Sequence, residues 1–279
     1  MFDKQLGTVL ACLKIRFMVP KIIHYTWFSG DEMPKILKDC MASWKQYLSD
    51  YEFRLWDMNA IKDIDSVFLK EALSVRKWAY AADYVRLYAL EREGGIYLDT
   101  DVLVLKPFDD LLANKVFIGK EDTIHELPME CKWANYLTSH CMGAEPHAEY
   151  IKDCLRYFEN RHFILSDDEN LPQRLRCNFV LLPYIQAVIA KEYGYDWDPR
   201  VQTVQHCKDG VTVYPSDSLN GYRYLPSSYC QHLAQGSWRE GYAAITDLNA
   251  LPSKMTLRKR IKRFLAKYLL DHSYYVHRI

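Results

Sequence analysis

The sequence predicts an α/β fold with a mostly parallel central sheet flanked by helices. Three observations carry this: short β-rich runs alternate with amphipathic helical runs, a long helix stops at Gly94-Gly95, and an apolar strand follows at once. Composition agrees. The 279 residues are 49% hydrophobic, 26% charged and 14% aromatic, which excludes collagen-like, coiled-coil and disordered chains.

The elements follow in order. Lys21 to Trp27 is rich in β-formers and bounded by Pro20 and Ser29-Gly30, which reads as a buried first strand. Pro34 suits a first helical turn, and Ile36, Leu37, Cys40, Met41, Trp44, Tyr47 and Leu48 recur at helical spacing. Glu52 to Trp56 alternates as a second strand, and Val67 to Leu73 reads as a short helix. Trp78 to Glu93 is a long amphipathic helix, and Ile96 to Leu98 and Val102 to Leu105 are apolar strand segments around Asp99-Thr100-Asp101. From Glu121 to Cys141 the pattern is weak and polar, and an irregular insertion near a site is expected. His147 to Phe158 and Phe179 to Tyr193 read as helices. Val201 to Val204, Val211 to Tyr214 and Tyr229 to His232 read as short strands.

The 36 Lys and Arg cancel the 36 Asp and Glu, so total charge gives no sign of a nucleic-acid partner. The balance is uneven: between Lys254 and Leu270 there are seven bases and no acid, on a body that is otherwise acidic. Leu257, Ile261, Phe264, Leu265, Tyr268 and Leu269 recur there at helical spacing. That pattern fits either an interfacial helix on an anionic membrane surface or a terminal helix packed on the body. The eight cysteines include no C-x-x-C pair and are read as reduced thiols in a cytoplasmic protein. The opening stretch lacks a basic n-region and a small-x-small cleavage site. The expected organisation is an N-terminal extension over 1–17, one domain over 18–250, and a basic amphipathic helix over 251–279.

Candidate chemistry centres on Asp99-x-Asp101. Two carboxylates one residue apart at the end of a strand share a face in extended geometry, so both can reach one Mn²⁺ or Mg²⁺ ion. Such an ion would neutralise a diphosphate leaving group. Asp63-x-Asp65 and Asp196-x-Asp198 have the same spacing, so spacing alone selects nothing; only Asp99 and Asp101 lie between two apolar strand segments after a helix stop. Asp83 and Arg86, three apart, share a helical face. They read either as a surface ion pair or as Asp83 accepting from sugar hydroxyls with Arg86 facing phosphate or sugar. At the first strand's end His24, Tyr25, Trp27 and Phe28 could stack on a nucleobase or pack into a core. His232 can complete a metal shell, and Ser237 with Trp238 can donate to a diphosphate.

Together the runs Val19 to Phe28, Ala82-Asp83-Tyr84-Val85-Arg86, Gly94 to Asp101, and His232 with Gly236-Ser237-Trp238 resemble glycosyltransferase family 32. That family of D-x-D sugar transferases includes bacterial capsular-polysaccharide transferases and fungal mannosyltransferases. The resemblance spans roughly Val19 to Trp238. It implies a GT-A fold, a nucleotide-sugar donor (a UDP-sugar first, a GDP-sugar otherwise), a Mn²⁺ or Mg²⁺ requirement and transfer with retention. It further implies that Trp27 stacks on the base with His24 in the nucleotide pocket, and that Asp83 and Arg86 contact the donor sugar. Asp99 would touch ribose and sugar, Asp101 would ligate the metal directly, His232 would complete the metal site, and Ser237 and Trp238 would close on the diphosphate.

The chain departs from the family pattern in carrying Leu233-Ala234 after His232 and Ala82 before Asp83. The expected acceptor is a saccharide or lipid-linked glycan met at the cytoplasmic face of a membrane, in surface polysaccharide synthesis. Front-side attack is the expected route, with Asp83 the alternative nucleophile. Two other readings compete. A non-catalytic polysaccharide-binding protein would keep the fold without turnover. A D-x-D phosphatase fits poorly, because its motif sits on the first strand with Thr or Val four residues after the first Asp, where this chain has Leu103.

Overall fold

A computed structural model describes residues 19–127, 132–223, 225–235, 246–251, 254 and 257. The expected extension over 1–17, almost all of the basic helix, and Gly236-Ser237-Trp238 lie outside the described residues.

The sheet strands are β1 (Ile22–Thr26), β2 (Glu52–Trp56), β3 (Gly95–Leu98), β5 (Val116–Leu127), β6 (Lys132–Ala144), β7 (Gln205–His206) and β8 (Val211–Tyr214). Their spatial order is β2-β1-β3-β6-β5-β8-β7. β1 pairs parallel with β2 and β3, and β5 pairs parallel with β8. β6 runs against both β3 and β5, and β7 against β8, so five of the seven strands share one direction. The expected α/β fold with a mostly parallel sheet is present. β4 (Val102–Val104) and β9 (Cys230–His232) form a separate antiparallel ribbon.

Both faces of the sheet are covered, as a largely parallel sheet requires. β3 shows why its run is apolar throughout: Ile96 and Leu98 enter one core with Trp44, Val102, Val104 and Phe108, while Tyr97 enters the other with Val85, Leu137 and Met142. The second core is roofed by α2 (Val67–Ser74), α3 (Trp78–Glu93), α4 (Glu149–Arg156) and α6 (Leu182–Glu192). The first lies under α1 (Lys35–Tyr47), whose Trp44 is fully buried and donates from Nε1 to the Val102 carbonyl at 2.7 Å. Ser43 Oγ accepts from Val104 N–H at 2.9 Å. Burying one indole contributes about 4–6 kcal/mol of transfer free energy, and here it also fastens the β4 ribbon.

The boundaries of β2 and α3 fall where the sequence puts them, whereas three segments differ. Within Glu121 to Cys141, residues 121–127 and 132–141 are not irregular; they lie in the long antiparallel pair β5–β6. Its alternation is hidden because the register breaks twice. Ile118 pairs with Met142 but Lys120 with Leu137, so β6 bulges over 138–141; Ile124 then pairs with Asn135, so β5 bulges over 121–123. Lys120 is fully buried, its ammonium held by the carbonyls of Asp196, Asp198 and Val201, which further disguises the strand. Val201 to Val204 is loop, and the short edge strand comes next, at Gln205–His206. α6 starts at Leu182 rather than Phe179, with Pro183 in its first turn. Among the described residues α5 (Gln173–Arg176) and α7 (Ser216–Leu219) are helices of four residues each.

Candidate active site

The path into the site is set by Gly94 and Gly95, with φ of +65° and +97°. A Cβ on Gly95 would stand 2.8 Å from the Ile22 carbonyl oxygen, so only glycine lets α3 reverse into β3 beside β1. His24 locks this corner. It is fully buried, and Trp56 Nε1–H donates to its Nδ1 at 3.0 Å. Indole is only a donor, so the His24 proton sits on Nε2, which donates to the Gly94 carbonyl at 2.8 Å. Burial pushes its pKa down and keeps the ring neutral. With both nitrogens used inside the fold, His24 supports the α3–β3 turn rather than lining a nucleotide pocket. Tyr25 and Phe28 are also packing residues, against Trp44 and Trp78. Trp27 differs: it is half-buried, donates to the Asp31 carbonyl and packs beside Leu103 and Leu233, on the side of the fold that holds the D-x-D segment.

Asp99 and Asp101 converge by a route other than strand alternation. They occupy the turn between β3 and β4, where Asp99 N–H donates to the His140 carbonyl and Val102 N–H to the Asp99 carbonyl. His232 is the register partner of Val102 on β9, so the ribbon carries its imidazole to the turn. One ligand atom each from Asp99, Asp101 and His232 lies within 4.8 Å of the others, and among the described residues this is the one such cluster. Asp63 and Asp65 are exposed surface carboxylates, and Asp198 pairs with Arg200.

The loop after β9 wraps Asp101. Leu233 N–H donates to its carbonyl at 3.0 Å and Gln235 N–H to its Oδ2 at 2.8 Å, with Ala234 left-handed (φ +49°) between them. Asp101 Oδ1 meets His232 Nε2 at 3.2 Å. Burial pushes the Asp101 carboxyl up, but His232 and the Gln235 N–H outweigh it and hold it below the usual carboxylate range. Burial disfavours the charged His232 ring, and Asp101 more than restores it, so its pKa is raised. Two carboxylates and an imidazole suit a hard or borderline divalent ion such as Mn²⁺ or Mg²⁺, and the donor set fits.

Arg86 is the organiser of the second half of the site. Its guanidinium side chain is 4% exposed and reaches Asp83 Oδ1 at 3.0 Å and Asp99 Oδ1 at 3.4 Å. It also donates to the carbonyls of Ala82 and Ser139 and lies 4.5 Å over the Tyr97 ring. Burial opposes its charge and Asp99 and Asp83 sustain it. The reading of a surface ion pair fails, and so does that of a guanidinium facing phosphate: its donors are directed inward, and Arg86 aims the two carboxylates.

Asp83 is pushed up to about 7 by burial, with Arg86 opposing and Asp99 adding to the shift. A carboxyl whose pKa is raised on folding contributes stability in full below its unfolded value and loses it as pH rises through the folded one. The window runs from about 4 to about 7. Thermal melts across it should show the wild type losing ground steadily to Asp83→Asn; parallel curves would place the Asp83 proton elsewhere.

Sequence reasoning missed His140. Its ring stacks on His232 at 4.1 Å and 20°, and Nε2 bonds the Leu219 carbonyl at 2.9 Å, so it backs and orients the candidate ligand. Burial keeps it neutral. The β6 bulge aims it, and a bulge leaves no trace in hydrophobic periodicity.

The family described as "Glycosyltransferase sugar-binding region containing DXD motif" matches residues 34–118. Inositol phosphoceramide mannosyltransferase 2 of Schizosaccharomyces pombe is 28% identical over 146 residues, 51% of this chain and 39% of that one. Inositol phosphoceramide mannosyltransferase 3 of the same yeast is 35% identical over 106 residues, covering 37% of this chain and 30% of that one. The chain thus aligns with well under half the length of these curated relatives. The solved structure of PaToxG Glycosyltransferase overlays with a TM-score of 0.41 and 16% identity, over 68% of this chain and 75% of that one. The matched region runs through α1, α3 and the Asp99–Asp101 turn, so it is the part of this chain that holds the two carboxylates that is similar to the D-x-D sugar-binding region of glycosyltransferases.

Proposed function

We propose that the chain transfers a hexose from a nucleotide sugar, a UDP-sugar by first preference and a GDP-sugar otherwise, to a saccharide or lipid-linked glycan. The observation that carries this is the convergence of His232 on Asp99 and Asp101, the two carboxylates of the D-x-D region. A divalent ion held there would act as Lewis acid toward the donor diphosphate. Asp101 and His232 are the ligands in this reading, with Asp99 shared between ion and donor. Asp83, held by Arg86 at 3.0 Å, accepts from a donor-sugar hydroxyl, and Trp27 offers its ring to the base. Arg86 is the positioning residue that holds Asp83 and Asp99 in place. Ser237 and Trp238, outside the described residues, are assigned to the diphosphate.

In this reading transfer with retention proceeds by front-side attack, with Asp83 the alternative nucleophile. The acceptor hydroxyl oxygen bonds to the anomeric carbon as the bond to the diphosphate oxygen breaks, and that oxygen takes the proton. The mannosyltransferase relatives favour a hexose, and their printed names favour a lipid acceptor. Among the described residues no helix is long and apolar enough to cross a membrane. In the proposed setting the basic segment 254–270 meets an anionic cytoplasmic membrane surface, and the product enters a surface polysaccharide such as a capsule.

The test is thermal stability and donor turnover of the full chain with UDP- and GDP-sugars, with Mn²⁺ and with EDTA. A donor at a hundred times its dissociation constant adds about 2.7 kcal/mol, raising the melting temperature by roughly 5–10 °C. One nucleotide class should do so, and be hydrolysed, only with metal. If no nucleotide binds under either condition, the polysaccharide-binding reading replaces this one.

A further inference from the structure

The β5–β6 hairpin carries a second group of polar and aromatic side chains that the donor site does not use. Where β5 bulges, Glu121 and Asp122 leave the regular alternation. Glu121 Oε2 lies 3.1 Å from His125 Nε2, and the His125 ring stacks on Tyr136 at 3.8 Å and 5°. Tyr136 meets Tyr184 of α6 edge-on at 5.2 Å and 61°. Tyr184 is 38% exposed, and about a quarter of each of the Glu121 and His125 side chains is open to solvent. A stacked pair serving only the core would be covered; this one reaches the surface.

One contact ties the group to the strand that carries the candidate ion ligand. Tyr222 Oη donates to Asp122 Oδ2 at 2.9 Å, anchoring the bulge to the stretch that leads into β9 and His232. The same hairpin, through its other bulge, supplies His140 behind His232.

We propose that His125, Tyr136 and Tyr184, with Glu121, form the subsite that receives the acceptor as a neutral pyranose. The inference rests on the glycosyltransferase reading and extends it to the second substrate. A pyranose has an apolar C–H face and a rim of hydroxyls. Aromatic rings with one or two placed polar groups match that pair of surfaces. Glu121 accepts from ring hydroxyls while its bond to His125 holds the imidazole in plane against Tyr136. Glu121 and Asp122 together repel acidic sugars, which sets the charge class of the acceptor.

The experiment is saturation-transfer NMR on the full chain, with methyl α-D-mannopyranoside and methyl β-D-galactopyranoside as probes, each with and without UDP and Mg²⁺. The wild type should transfer saturation to at least one glycoside. Tyr184→Ala and Glu121→Gln should each weaken that signal at least fivefold, and Tyr184→Phe, which keeps the ring, should retain it. Calorimetric titration of UDP with Mg²⁺ should give the same affinity within twofold in all three variants, which shows that they are folded. A glycoside signal that survives both Tyr184→Ala and Glu121→Gln overturns the subsite, as does a wild type that binds UDP but neither glycoside. Glycoside binding that obeys this pattern in a chain that binds no nucleotide supports the sugar subsite and overturns the donor reading instead.

Discussion

Asp101→Asn is expected to lower metal-dependent donor turnover by roughly 10³-fold or more while leaving the fold intact. The reason is the asymmetry of what asparagine keeps. Its amide oxygen still accepts from the Gln235 N–H, and the Asp101 backbone still receives Leu233, so the loop after β9 stays wrapped. What disappears is the negative charge beside His232 and Asp99. A hard divalent ion loses one of two carboxylates, and stabilising charge on a departing diphosphate is worth several kcal/mol, where each 1.36 kcal/mol is about tenfold in rate. The check is a paired measurement: turnover of the nucleotide sugar at saturating Mn²⁺, and the melting temperature in EDTA. A variant that melts like the wild type and turns over at its rate would remove Asp101 from the ligand set. One that fails to fold would show that the charge, rather than the hydrogen bond, holds the loop.

How much of this was legible beforehand depended on whether a residue's role is written in its neighbours along the chain. The D-x-D segment was found by its context between apolar strands after Gly94-Gly95, because a helix stop and a strand start are local events. The three-residue cluster that Asp99 and Asp101 complete was not local. It needs β9, more than a hundred residues on, to pair with β4 and bring His232 across. His24 and Arg86 show the opposite limit. Their residue types and positions suggested ligand contacts, but whether an imidazole or a guanidinium faces a cleft depends on which distant donors and acceptors occupy it. Trp56, Gly94, Ser139 and Asp99 do so here. The β5–β6 hairpin stayed hidden because two bulges and the buried Lys120 break the period-two pattern that reveals strands.

Replacing Arg86 with methionine should destabilise the protein by about 3–5 kcal/mol, the range for breaking a buried ion pair by removing one partner. The side chain is of similar length and apolar, so the cavity term is small, and the loss is electrostatic. The Asp83 and Asp99 carboxylates would remain without their shared cation, and the Ser139 carbonyl would lose its donor. For a chain of this size that corresponds to a fall in melting temperature of roughly 6–20 °C. The sign of a second substitution separates this account from simple mispacking. If uncompensated charge is the cause, adding Asp83→Asn to Arg86→Met should recover part of the loss, because one stranded carboxylate becomes a neutral amide. If packing is the cause, the two effects should add. The double-mutant cycle reads the difference directly, since Asp83 and Arg86 are in contact and a coupling energy beyond about 0.5 kcal/mol is resolvable. Partial recovery of stability without recovery of turnover is the expected combination: in the proposed site Arg86 would hold the Asp83 and Asp99 carboxylates in place for a donor sugar, and neutralising one of them would relieve the fold while removing that acceptor.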